Sequence, residues 1–227
     1  MNGLENKLQM VLNRQVGKAG IYNLVSAVQS ADRQLDFIGA AGTADPQTGA
    51  AMKPETPYFI ASVTKMYTAA IILRLCEAQR LDLEAPISAY LPASLTRAIH
   101  LYQGTDYSDR LRVVHLLSQT SGLPDHEADK PRGGRSLLDE LKAGADRGVD
   151  TAEALEIARH LPAHFAPGTP GKAYYSNTNY RLLGAIIEAV TGKPMALNFQ
   201  ELICAPLGLS HTYLFDWKAP RPELPAT

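Results

Sequence analysis

The sequence predicts an α+β protein, a mainly helical lobe joined to an incomplete antiparallel sheet lobe. Three observations carry this. Residues 22–29, rich in Val and other apolar residues, read as a strand, residues 34–41 read as a second, and the two flank the turn Ser30-Ala31-Asp32-Arg33, which suggests a hairpin. From Ser62 onward, apolar residues recur mostly at helical spacing. The 227 residues are 45% hydrophobic, enough to bury a core in one domain or two closely joined lobes. The expected divisions are 1–60 (helix and hairpin), 61–216 (mainly helical) and 217–227 (an irregular end with Pro220, Pro222 and Pro225).

Taken in order, Leu4, Leu8, Val11 and Leu12 line one face of an amphipathic helix over 3–17, ended by Gly17 and Gly20. Residues 45–56 read as loop, punctuated by Pro46, Gly49 and Pro54. A helix from Ser62 to about Arg80 is apolar on nearly every side and is expected to be central and buried. Arg112 to Thr120 reads as a helix stopped by Gly122. Residues 124–150 are charged and Gly-rich, with a short amphipathic patch at 136–142, and read as a surface insertion that leaves His126 solvated. Asp150 and Glu153 have the spacing of a helix-opening capping box. Tyr180, Leu183, Gly184, Ile187 and Val190 form the stripe of a further helix, stopped by Gly192.

The composition argues against several function classes. A net charge of -1 with scattered basic residues offers nothing for nucleic acid or an anionic membrane. No stretch approaches the ~18 apolar residues of a membrane span. Cys76 and Cys204 are too few and too far apart for a disulfide framework. No signal peptide is visible, so the expectation is a cytoplasmic protein or a mature periplasmic or secreted form. His160 and His164 are four apart, but Pro162 interrupts their shared helical face, and no metal site is expected there.

Chemistry concentrates in two places. Ser62-Val63-Thr64-Lys65 places a hydroxyl and an amine three residues apart at a helix start, where they share a face. A serine needs a neighbouring base to act as a nucleophile. A lysine becomes such a base when burial disfavours its charged form, and a helix N-terminus adds to that effect. The same N-terminus offers backbone N–H groups to an oxyanion. Downstream, Tyr175-Ser176-Asn177 directly precedes the helix of Tyr180. Its phenol can relay a proton to a leaving group. Its amide can bind a substrate carbonyl and touch the lysine. The same two residues also suit a structural tyrosine and a helix cap.

The segments Phe59-Ile60-Ala61-Ser62-Val63-Thr64-Lys65, Leu116 through Gln119-Thr120-Ser121-Gly122-Leu123-Pro124, Pro167-Gly168 through Tyr175-Ser176-Asn177 to Gly184, and Pro206-Leu207-Gly208-Leu209 with Thr212 occur in the order of a known family. Together they resemble the class C β-lactamases and their DD-peptidase and esterase relatives. The resemblance implies a β-lactamase/transpeptidase-like fold and a serine hydrolase. It implies Ser62 as nucleophile, Lys65 as base, Tyr175 as proton relay and Asn177 as substrate ligand. No metal or organic cofactor is implied. The expected partner is a small-molecule or peptide substrate: a β-lactam, a D-alanyl peptide or an ester. The chain departs from the family at Gln119, where His is more usual, and in lacking a Lys-Thr-Gly or His-x-Gly triplet after Thr212. That last departure leads to two expectations: weak or no activity of the chain alone, and association through an open sheet edge with itself or with a missing C-terminal segment. A covalent sensor of penicillins or peptides, and a catalytically incomplete fragment, are the alternative readings.

Overall fold

The computed structural model describes residues 3–145 and 147–215, so the expected irregular end at 217–227 lies outside the described residues. The chain divides after Phe59 into two compact units.

The first unit opens with helix α1 (Gly3–Gln15). Strands β1 (Asn23–Gln29) and β2 (Asp36–Asp45) then pair antiparallel, with Val28 opposite Phe37 and Leu24 opposite Ala41. Phe37, Gly39 and Ala41 alternate to one face of β2, and Leu12 and Leu8 of α1 pack with Phe37 and Ala41. Gln9 Nε2 donates to the Ala40 carbonyl at 2.8 Å, pinning the helix to the sheet. The expected two-stranded hairpin is in fact a three-stranded sheet, ordered β1-β2-β3, because β3 (Ala50–Ala51) returns onto β2. The cause lies in the turn. The Asp45 carboxylate accepts from the Gln47 N–H and the Thr48 hydroxyl, both at 2.8 Å, and so reverses the chain.

In the second unit a 3₁₀ turn, Ala61–Val63, leads into helix α2 (Thr64–Glu77). Short helix α3 (Ala93–Thr96) and a two-stranded ladder, β4 (Leu101–Tyr102) with β5 (Thr105–Asp106), follow. The remaining helices are α4 (Val113–Leu117), α5 (Leu137–Lys142), α6 (Thr151–Arg159), α7 (Asn177–Thr191) and α8 (Met195–Phe199), the last continuing as a π turn over Gln200–Cys204.

The central helix is α7, which packs against α2, α4, α6 and α8. Its Leu182, Leu183, Ile186 and Ile187 are buried in one cluster with Ile71, Ile72 and Leu75 of α2 and Leu155 of α6. This corrects the expectation for α2. Only its Thr68, Ile71, Ile72 and Leu75 face is buried, whereas Met66 is 64% exposed and Leu73 50%. Apolar composition alone does not say which side of a helix meets a neighbour.

Two further expectations change. Helix α4 ends at Leu117, and Gly122 is not its stop but lies against Phe165. Residues 124–150 are not all surface: Asp125, His126 and Ser136 are buried, the last capping α5 through the Asp139 N–H at 3.2 Å. His126 is held inside by Thr178, whose Oγ1 lies 3.1 Å from both its backbone N and its Nδ1.

Gly122 and Gly192 give a matched test. Their φ angles are +75° and +71°, but a Cβ on Gly122 would lie 2.0 Å from the Phe165 carbonyl oxygen, and one on Gly192 would meet nothing within 4 Å. Gly192→Ala is expected to cost about 1 kcal/mol from backbone strain alone. Gly122→Ala adds a backbone clash and is expected to cost at least about 2 kcal/mol more. Urea unfolding of both variants checks this; equal costs would contradict it.

Candidate active site

Ser62 sits exposed in the 3₁₀ turn ahead of α2, and Lys65 lies in the first turn of the helix itself. The residue before the nucleophile candidate, Ala61, has φ +43°, a left-handed conformation that costs a non-glycine residue energy. Strain of this kind concentrates at functional sites.

The Ser62 Oγ accepts two hydrogen bonds, one from Lys65 Nζ at 3.1 Å and one from the Tyr175 hydroxyl at 2.7 Å. Lys65 Nζ also donates to Asn177 Oδ1 at 2.6 Å. It stands 5.0 Å from the centroid of the Tyr175 ring and 5.5 Å from that of Tyr180. The structure therefore brings Ser62, Lys65, Tyr175 and Asn177 into one constellation. Either proton donor on Ser62 could accept its proton once it had itself lost one.

Tyr175 and Asn177 flank Ser176, the N-cap of α7. Their segment is tied down by Gln119, which the sequence marks as a departure from the family pattern. Gln119 accepts the Tyr174 N–H on its carbonyl at 2.9 Å. Its side-chain Oε1 accepts the Ser176 N–H at 3.0 Å and Asn179 Nδ2 at 2.6 Å. Ser121, buried, donates from Oγ to Asn179 Oδ1 at 2.6 Å. The Pro124 carbonyl takes the hydroxyls of Ser176 at 2.8 Å and Thr178 at 2.7 Å. Thus the Gln119–Pro124 segment grips the start of α7 through buried polar contacts, which cost dearly when one partner is lost.

An acidic group completes the site, and sequence reasoning missed it. Asn177 Nδ2 donates to Glu127 Oε2 at 2.9 Å and to Asp125 Oδ2 at 3.2 Å. Burial pushes the Asp125 carboxyl up from its ordinary range. Burial and the Asp125 charge push Glu127 up as well, against the opposing pull of Arg181 and Lys65. Nearby, Asp129 accepts from the Tyr174 hydroxyl and lies 2.8 Å from His164 Nε2, while the His164 and Tyr174 rings stack with centroids 3.5 Å apart. Burial works to raise the Asp129 carboxyl, but the contacts from Tyr174, His164 and the Asp125 N–H hold it below its usual range. The signal available beforehand was the alternation Asp125, Glu127, Asp129 directly after Leu123-Pro124.

Comparison with known proteins bears on this geometry. A family model described as Beta-lactamase matches residues 15–227. Esterase EstB of Burkholderia gladioli is 34% identical over 192 residues, 82% of this chain and 46% of that protein. An Escherichia coli (strain K12) protein provisionally named a D-alanyl-D-alanine carboxypeptidase is 30% identical over 215 residues, 91% of this chain and 46% of that one. The crystal structure of D-amino acid amidase from Ochrobactrum anthropi SV3 complexed with L-phenylalanine amide superposes with a TM-score of 0.70 at 27% identity, covering 91% of this chain and 51% of that one. The chain thus spans less than half the length of these two curated relatives.

Buried His126 gives a pH prediction. Burial, then the charges of Arg181 and Lys65, pull its pKa from 6.5 down to about 4. The unfolded chain takes up this proton first as pH falls. Stability is therefore full above pH 6.5, drains away as pH falls toward about 4, and levels off below. The loss is roughly 3 kcal/mol. The raised carboxyls of Asp125 and Glu127 act in the opposite sense, since they bind protons first in the folded state. The difference between wild type and His126→Gln isolates the histidine. Urea unfolding at about pH 7 and about pH 4 should show the wild type losing more; parallel losses would mean that His126 titrates normally in the fold.

Proposed function

The chain belongs to the beta-lactamase family, and on that premise we propose that it is a serine hydrolase working through an acyl-enzyme on Ser62. Its fold is the β-lactamase/transpeptidase-like one. The observation that carries the reading is the convergence of Lys65 Nζ and the Tyr175 hydroxyl on one serine oxygen, at 3.1 and 2.7 Å.

The proposed steps run as follows. Ser62 Oγ adds to a substrate carbonyl carbon, and its proton passes to Lys65 with the help of Tyr175. The backbone N–H of Ser62, within the 3₁₀ turn, is the group proposed to stabilise the developing oxyanion. The bond from carbonyl carbon to the leaving nitrogen or oxygen breaks, and Tyr175 returns a proton to that atom. Water then adds to the acyl carbon, loses its proton to the same pair of groups, and releases a carboxylic acid and free Ser62. No metal or organic cofactor takes part. Asn177 keeps Lys65 in place; for it to bind a substrate carbonyl as well, one Nδ2–H must leave its carboxylate.

The substrates supported best are esters, D-amino acid amides and D-alanyl peptides, given the esterase, amidase and carboxypeptidase names of the relatives. One family fold hosts all of these, so the choice among them rests on the residues around Ser62. The outer edge of β1 has no neighbouring strand among the described residues, which supports self-association through it.

The test is intact-mass spectrometry after exposure to a fluorophosphonate and to a reactive β-lactam. A single adduct is expected on the wild type and none on Ser62→Ala. Tyr175→Phe should lower the labelling rate by about 100-fold. An adduct that survives Ser62→Ala would refute the assignment. A β-lactam adduct that never hydrolyses would turn the reading from enzyme to covalent sensor.

A further inference from the structure

The Asn177 amide has only one orientation that suits its neighbours. As an ammonium, Lys65 Nζ can only donate, so in that form it must face Oδ1, as it does at 2.6 Å. Ionised carboxylates can only accept, so Asp125 and Glu127 must face Nδ2. The two hydrogens of Nδ2 are shared between them, with the shorter contact, 2.9 Å, going to Glu127 and the longer, 3.2 Å, to Asp125. An amide of this kind rotates in a broad, nearly two-fold well when nothing holds it. Turned over, it would set Nδ2 against Lys65 Nζ, donor against donor. The lysine, on a flexible four-carbon stem, would then lose its second anchor beside Ser62.

We infer that Glu127 is a positioning residue for the Ser62 reaction: its carboxylate holds the Asn177 amide with Oδ1 toward Lys65 and thereby holds Lys65 on Ser62. The inference rests on the proposed roles of Ser62 and Lys65. Glu127 is itself well placed for the task. Its backbone N–H donates to Asp125 Oδ1 at 3.0 Å, and its carbonyl accepts the Leu138 N–H at 2.9 Å, so the main chain on both sides is fixed. One carboxylate oxygen, Oε2, takes the amide, while the other, Oε1, lies 3.6 Å from His126 Nε2, a buried nitrogen with no hydrogen-bond partner. The Glu127 side chain is 48% exposed, so a substitution there leaves the core untouched. Asp125 is buried and its Oδ1 closes the turn into Glu127, so it is the less suitable target.

The experiment compares the full chain with Glu127→Ala, Glu127→Gln and Ser62→Ala. It measures the rate of fluorophosphonate labelling, kcat and KM on p-nitrophenyl acetate and on an aminoacyl p-nitrophenyl ester with a free ammonium, and the melting temperature. Glu127→Ala should lower the labelling rate and kcat by about ten-fold with KM unchanged, the scale expected when a reacting group is misplaced by a fraction of an ångström. Glu127→Gln should recover to within about three-fold of wild type, because its Oε1 still accepts an amide N–H. Three results would overturn the inference. A lower melting temperature with unchanged rates would make Glu127 structural. A raised KM confined to aminoacyl esters with a free ammonium would make it a substrate-binding residue. Equal labelling of wild type and Glu127→Ala would remove the positioning role alone. If the wild type labels no faster than Ser62→Ala, the assignment of Ser62 falls, and the role of Glu127 falls with it.

Discussion

The contact on which the candidate site depends is the hydrogen bond from Lys65 to Asn177, which joins the first turns of α2 and α7 across 112 residues of chain. It exists because the bodies of the two helices share a core. Ile71, Ile72 and Leu75 are buried in the same cluster as Leu182, Leu183, Ile186 and Ile187. Each such side chain contributes about 1.5–3 kcal/mol when fully buried, so the apolar packing supplies the stability and the polar tip inherits a fixed geometry. A lysine and an asparagine meeting at a half-exposed position would contribute little alone. Here the packing has already set their approach, and the contact costs little further ordering.

The second support is a set of buried polar groups between Gln119 and Asn179. Gln119, Ser121 and the Pro124 carbonyl satisfy Ser176, Thr178, Asn179 and the Tyr174 N–H. Such a network adds modestly to stability when complete and costs much more when broken. It therefore specifies one arrangement for the segment that carries Tyr175. Gln119 pays for this with a left-handed backbone, φ +61°, and Ala61 beside Ser62 has φ +43°. Both strained residues adjoin the constellation, and the surrounding contacts over-determine them.

The acidic residues after Pro124 couple a charged, Gly-rich stretch to the proposed chemistry. Asp125 and Glu127 hold the Asn177 amide, and Asp129 clamps Tyr174, the neighbour of Tyr175. The Asp125, Glu127 and Asp129 side chains thus meet the same short segment that Gln119 grips. The relatives carry esterase, carboxypeptidase and amidase names, and one fold can host several activities through differences around its site. Its carboxylates lie close enough together for burial and mutual repulsion to raise two of them, while hydrogen bonds hold the third down.

Much of this was legible in the residues themselves. Local order in a helix is written every three or four positions, so α1, α6 and α7 followed from apolar spacing, from the Asp150 cap and from Gly192 at φ +71°. Spacing of three also put Ser62 and Lys65 on one face, and the order of motifs pointed to a family. Contacts between residues far apart in sequence carry no such period. Nothing local distinguishes Asp125 and His126 from a solvated charge run, because their burial depends on Thr178 and Asn177, about 50 residues away. Nor does composition say that α7 rather than α2 is the central helix, or that Gln119 anchors Tyr174. The sequence by itself determined the elements and the chemical groups available. Tertiary packing alone decided which faces are buried and which carboxylates meet Asn177, because desolvation and hydrogen-bond partnership are properties of the folded surroundings rather than of any one residue.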